Sequence, residues 1–116
     1  MDEVKRRYVF DKLVEEGEYT DGVLSGCWRI WSLTGQQIFE GQFKNGKADG
    51  VTRTWSEAGI LTCECEYTKG ELNGSYRSWW DNGILKEEGY YENGKRIAPY
   101  RWFDQKGNIV QEIEAQ

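Results

Sequence analysis

The chain has no histidine, one proline and one methionine in 116 residues. Without His it lacks the side chain that titrates near neutrality, and with it the commonest general base and metal ligand. Three cysteines are an odd number, and neither a fourth Cys nor a His completes a tetrahedral set with Cys27, Cys63 and Cys65, so no metal and no cofactor are expected. Cys63 and Cys65 lie two apart on one predicted strand and point the same way, a spacing unsuited to a strain-free disulfide; reduced thiols are expected. Long apolar runs are missing too. None approaches the ~18 residues of a membrane helix, and MDEVKRRY is no signal-peptide core. The expectation is a soluble, cytoplasmic protein without membrane contact. Basic charge is also short: the net charge of -5 argues against nucleic acid and for a basic protein partner.

Aromatic rings (15% of the chain) and 14 glycines are what the sequence has instead, a profile suited to thin β structure with frequent turns. Residues 41–64, GQFKNGKADGVTRTWSEAGILTCE, align without gaps on residues 65–88, CEYTKGELNGSYRSWWDNGILKEE, and the frame extends to 17–40 and 89–112, giving four units of 24 residues. Three glycine sets punctuate them: Gly22, Gly46, Gly70 and Gly94; Gly35, Gly59, Gly83 and Gly107; and Gly26, Gly50 and Gly74, replaced by Ala98 before Pro99 in the last unit. Glycines among Asp, Asn and Lys mark turns needing positive φ, so each unit reads as two strands and two turns.

At the second set the preceding residues are Thr34, Ala58, Asn82 and Lys106, of which only Asn is comfortable at positive φ. A three-residue loop ending in a glycine bulge is therefore expected, setting Trp55 opposite Leu61, Trp79 opposite Leu85, Phe103 opposite Ile109, and Arg77 opposite Glu87. Alternation then puts Trp31, Trp55, Trp79 and Phe103 on one packed face with Tyr19, Phe43, Tyr67 and Tyr91, and with the column Arg29, Arg53, Arg77 and Arg101. Glu40, Glu64, Glu88 and Glu112, with Thr52, Thr54 and Ser78, fall on the other, solvated face. The Arg column reads either as guanidinium groups stacked on rings and salt-bridged, or as a ligand-binding ladder. Residues 1–16 are expected to cap the first unit; Asp2, Val4, Tyr8, Val9 and Lys12 fit a short capped helix, while residues 13–16 imitate the end of a unit.

The run Tyr67-Thr-Lys-Gly70-Glu-Leu-Asn-Gly74 followed by Trp79, Gly83, Leu85 and Glu88 resembles the MORN repeat variant, as do Phe43-Lys-Asn45-Gly46-Lys47-Ala-Asp-Gly50 and Tyr91-Glu-Asn93-Gly94-Lys95. The likeness covers residues 17–112; the fourth unit departs at Ile97, Ala98 and Pro99 and the first at Gln37. It implies an all-β, single-domain antiparallel meander of hairpin repeats over residues 17–116 behind a 1–16 cap. It also implies a protein similar to bacterial YwqK-type antitoxins, or a scaffold contacting proteins or lipid. Some kinases carry such repeats, but this chain has no nucleotide-binding Gly-rich loop and no Asp-Phe-Gly element. No base, nucleophile and metal constellation appears, and adjacent carboxylates such as Glu87 and Glu88 point apart, so no catalytic residue is assigned and an enzyme is not expected.

The candidate site is a binding surface. On the face expected to be solvated, the last two units carry Tyr76, Trp80, Tyr90, Tyr100 and Trp102, where the first two mostly carry Thr, Ser and Gln. Clustered exposed rings suit interface anchors, and Glu64, Glu88 and Asp104 nearby suit a basic partner such as a toxin. Self-association as a homodimer and packing under an internal second layer are the other two readings.

Overall fold

The computed structural model describes residues 2–114; the ends of the two expected segments, residues 1, 115 and 116, lie outside them. Ten strands follow one another: β1 (Asp2–Val9), β2 (Lys12–Thr20), β3 (Val23–Trp31), β4 (Gln37–Lys44), β5 (Lys47–Trp55), β6 (Leu61–Thr68), β7 (Glu71–Trp79), β8 (Leu85–Glu92), β9 (Lys95–Phe103) and β10 (Ile109–Ile113). They pair in sequence order into one open antiparallel sheet, with no helix among the described residues. The strand starts Val23, Lys47, Glu71 and Lys95 keep the 24-residue spacing.

The helical cap does not form. Residues 2–20 make a hairpin whose turn, Phe10-Asp11, has positive φ at both residues. A helix would leave the open edge of β3 with unpaired N–H and C=O groups, whereas β2 pairs with it. The boundary drawn between residues 16 and 17 falls inside β2.

The three glycine sets have three different jobs. At the first, two-residue turns such as Asn45-Gly46 (φ 53° and 80°) have the twist that suits a tight hairpin. They also turn the glycine N–H toward the preceding hairpin, where Gly46 donates to the Leu24 carbonyl, Gly70 to Ala48 and Gly94 to Leu72, each at 2.8 Å. At the second set the expected loop forms: Gly59 N–H donates to Ser56 O and Ser56 N–H to Ile60 O, both at 2.9 Å, with Gly59 at φ 86°. The third set makes no turn. Gly26, Gly50 and Gly74 sit inside β3, β5 and β7 at φ 125°, 117° and 123°, where the pairing shifts against the preceding strand. Such a bulge bends the strand and sharpens its twist.

A second bulge overturns part of the expected facing. Trp79 does stand opposite Leu85, but Ser78 stands opposite Glu87 and Arg77 opposite Glu88, leaving Lys86 as an extra residue on β8. Ile38 and Thr62 do the same on β4 and β6. One inserted residue moves everything beyond it to the other face. The Glu column therefore joins the Arg column instead of opposing it. Thr52, Thr54 and Ser78 move to the side of Gly41, Cys65, Glu87 and the Tyr19, Phe43, Tyr67 and Tyr91 series, while Trp31, Trp55, Trp79 and Phe103 stay with the arginines.

The sheet measures 48 × 31 × 11 Å, and its radius of gyration of 16.4 Å exceeds the about 13 Å of a compact chain this long. It is one layer thick. Val14, Cys27, Cys65 and Tyr100 are the only buried apolar side chains among the described residues, and of these Tyr100 has no exposed surface. Packing is therefore lateral, between neighbouring strands.

Candidate binding surface

One face carries the charges. Arg6, Glu16, Arg29, Glu40, Arg53, Glu64, Arg77, Glu88, Arg101 and Glu112 stand opposite one another, one per strand, across all ten strands. The Nε atoms of Arg6, Arg29, Arg53 and Arg101 lie 2.8, 3.1, 2.7 and 3.3 Å from Glu16, Glu40, Glu64 and Glu112. Nη1 of Arg29, Arg53 and Arg101 reaches back to Glu16, Glu40 and Glu88 at 3.6, 4.0 and 3.9 Å. Each exposed pair is worth only ~0.2–1 kcal/mol; their value is in fixing register, since a slipped strand would lose its Arg–Glu contacts on both sides. The geometry matches the salt-bridged half of the first reading; the cations over rings among the described residues are Lys5, Lys86 and Arg96, not the column arginines.

The other face carries rings laid over small residues. In β3, Trp28 stands opposite Gly41 and packs edge-on against Phe39 and Phe43, with centroids at 5.3 and 5.7 Å. Tyr100 in β9 covers Gly89 in the same way, packs against Tyr91 and Trp102 (5.8 and 4.7 Å), and donates its hydroxyl to Glu87 at 2.6 Å. Burial, and then that carboxylate, push the Tyr100 phenol well above its ordinary range. The Arg96 guanidinium lies over Tyr91, Tyr100 and Trp102 at 6.0, 5.4 and 5.3 Å. Tyr76 joins the group through Tyr91 at 5.5 Å.

The residues expected in one patch thus separate into three places. Tyr76, Tyr100 and Trp102 share the ring face, but Tyr100 has no exposed surface and supports the others from beneath. Tyr90, 52% exposed, is on the charged face with Glu64 and Glu88, whose carboxylates are held by arginines. Trp80 and Asp104 lie in the loops after β7 and β9. The Trp80 indole donates to the Phe103 carbonyl at 3.2 Å beneath Lys86 Nζ (4.7 Å) and borders an open depression of about 560 Å³ with Thr62, Ser78, Asn82 and Gln105. Asp104 accepts the N–H groups of Asn108 and Lys106 at 3.0 and 2.9 Å, which hold its carboxyl below the usual range.

Sequence reasoning did not single out Arg96, and it gave Glu87, Cys63 and Cys65 no place at the binding surface. In the first three units Leu24, Ala48 and Leu72 occupy the place of Arg96, so its arrival beside rings was the available signal. Cys63 and Cys65 lie on the ring face, Cys63 opposite Ser78 and Cys65 opposite Tyr76. Hydrogen bonding from Cys65 and then from Tyr76 brings Cys63 down to about 7, while the same contact and burial push Cys65 up. Among the described residues no group of three or more His, Cys, Asp or Glu side chains could hold a metal ion.

Residues 72–93, from β7 through the turn of β8 to β9, match the MORN repeat variant family. No curated protein matches the chain. No helix of the described residues is long and apolar enough to cross a membrane.

Proposed function

We propose that this protein is a non-enzymatic binding module of the antitoxin or immunity type, which neutralises a basic protein by covering it with the ring face. MORN repeats suggest a repeat module for protein or membrane binding, and four 24-residue units fit the strand spacing. The observation that carries the reading is a one-layer sheet whose ring face holds a cluster of half-buried Tyr and Trp, while rings of the other face, such as Trp31, Trp55, Trp79 and Phe103, share it with a charge-balanced lattice. A face of Tyr and Trp that lacks a second layer has much to gain from a partner. Tyr76 and Trp102 on the ring face, with Tyr100 as their support, and Trp80 in the loop beside Ser78 are the proposed anchors, and the net charge of -5 favours a basic partner.

Capture of a basic companion from the native cell at one-to-one stoichiometry tests this, repeated with Trp80→Ala. The variant keeps the wild-type circular dichroism and loses the companion. Capture that ignores Trp80, or a companion that is acidic, refutes the proposal. The repeat match itself favours a second reading, a scaffold at a membrane surface. Co-sedimentation with anionic vesicles, unaffected by a basic companion, would select it.

A further inference from the structure

We infer that the sheet is built to extend head to tail, with β10 of one copy pairing with β1 of the next. The two are the outer strands, and each has one edge unpaired among the described residues. Such an edge is a row of free N–H and C=O groups that accepts another strand.

The charge lattice decides which strand. It starts with Arg6 on β1 and, after nine alternations of sign, ends with Glu112 on β10. A symmetric dimer through β1 in the register of the lattice sets Arg6 against Arg6, and one through β10 sets Glu112 against Glu112; like charges directly opposite destabilise strand pairs. Pairing β10 with β1 sets Glu112 against Arg6 and continues the alternation without a break. The junctions β2 to β3 and β4 to β5 already show this arrangement within the chain, as Glu16 opposite Arg29 and Glu40 opposite Arg53. Direction also agrees, because the first and tenth strands of an antiparallel meander run opposite ways.

Neighbouring side chains fit the same register. Gln111 falls beside Arg7 and Ile113 beside Lys5, and Tyr8 (57% exposed) comes against the Ile109-Val110 end (52% and 64%). Lys5, Arg6 and Arg7 guard β1 against most strands yet suit one bearing Glu112 and Glu114. Since β10 has only five residues, the contact is far smaller than a standard protein interface, and the association is weak. It is also unclosed, so copies add one after another as concentration rises.

Sedimentation velocity of the full chain over a hundredfold concentration range tests the inference. The weight-average sedimentation coefficient is expected to rise with concentration in low salt and to fall back at 1 M NaCl, with association weakened at least tenfold. Arg6→Glu and Glu112→Arg each give two like-charged edges and stay monomeric, whereas an equimolar mixture of the two associates again. Wild-type protein that sediments identically at all concentrations overturns the inference, as do single variants that associate like wild type. A mixture of folded variants no heavier than its components does so too. If circular dichroism shows either variant unfolded, the wild-type salt and concentration series decides alone.

Discussion

Gly89→Ala should cost far more than Gly41→Ala, although both put one methyl group at equivalent strand positions on the ring face. A Cβ on Gly89 would overlap the Tyr100 ring, meeting two further ring carbons at 2.7 Å. The ring has little room to retreat: Tyr100 is fully buried, tied to Glu87, and wedged between Tyr91 and Trp102. Overpacking a fixed contact costs ~1–3 kcal/mol. Weakening the Glu87 hydrogen bond adds ~1 kcal/mol, and the lower backbone entropy cost of Ala offsets about 0.5–1 kcal/mol. The net expectation is a loss of about 1–3.5 kcal/mol, or roughly 4–14 °C in Tm. At Gly41 the nearest ring carbons of Phe39 and Phe43 are 3.1 Å away, a few tenths of an ångström short of ordinary contact, and the change stays within about 1 kcal/mol of neutral. Urea melts of both variants, and of Gly89→Ala in a Tyr100→Ala background, form the test. In that background the methyl group should be neutral or stabilising. Equal losses at the two glycines, or a Gly89→Ala cost that persists without the Tyr100 ring, would refute the ring-over-glycine account.

Three other expectations follow from the same geometry. Arg53→Glu, which sets three carboxylates in a row in place of the 2.7 Å pair with Glu64, should destabilise by about 1 kcal/mol in low salt and by little at 1 M NaCl, because the guanidinium is 41% exposed and screened; a salt-independent loss in denaturant melts would contradict the lattice. Gly59→Val should lower stability by at least ~1 kcal/mol more than Ala58→Val, since only Gly59 has φ 86°; matching melting temperatures would discard the loop conformation. Iodoacetamide should alkylate Cys63 with a rate that rises through about pH 7, while Cys65 reacts only after unfolding. The sign is that of an acid whose folded form is depressed, with thiolate present above the midpoint and lost below it. Labelling that begins only near pH 9, followed by peptide mass spectrometry, would contradict the thiol pair.

The repeat made the sheet legible. Glycines at fixed intervals set the turns, and Asn-Gly before alternating residues is a local signal that needs no distant contact to act. The loop at Gly59 was equally local, since Ala58 resists positive φ and its glycine does not. The two bulges were not legible. A third glycine set looks like any turn glycine until a neighbouring strand shows that pairing continues through it, and the extra residue at Lys86 carries no mark of its own. That residue misled the facing, and with it the binding patch: Tyr100, read as exposed, is the most buried ring, and Tyr90 went to the opposite side from Tyr76 and Trp102.

Over residues 17–112 the sequence by itself determined the element type, the strand order and the turn positions, because these follow from backbone preferences within a few residues; the first hairpin, outside the repeat, it did not. The tertiary structure alone decided which side chains share a face. Facing depends on the count of residues between paired strands, and an insertion of one, stabilised by Arg meeting Glu across the sheet and by Tyr100 closing over Gly89, reverses it.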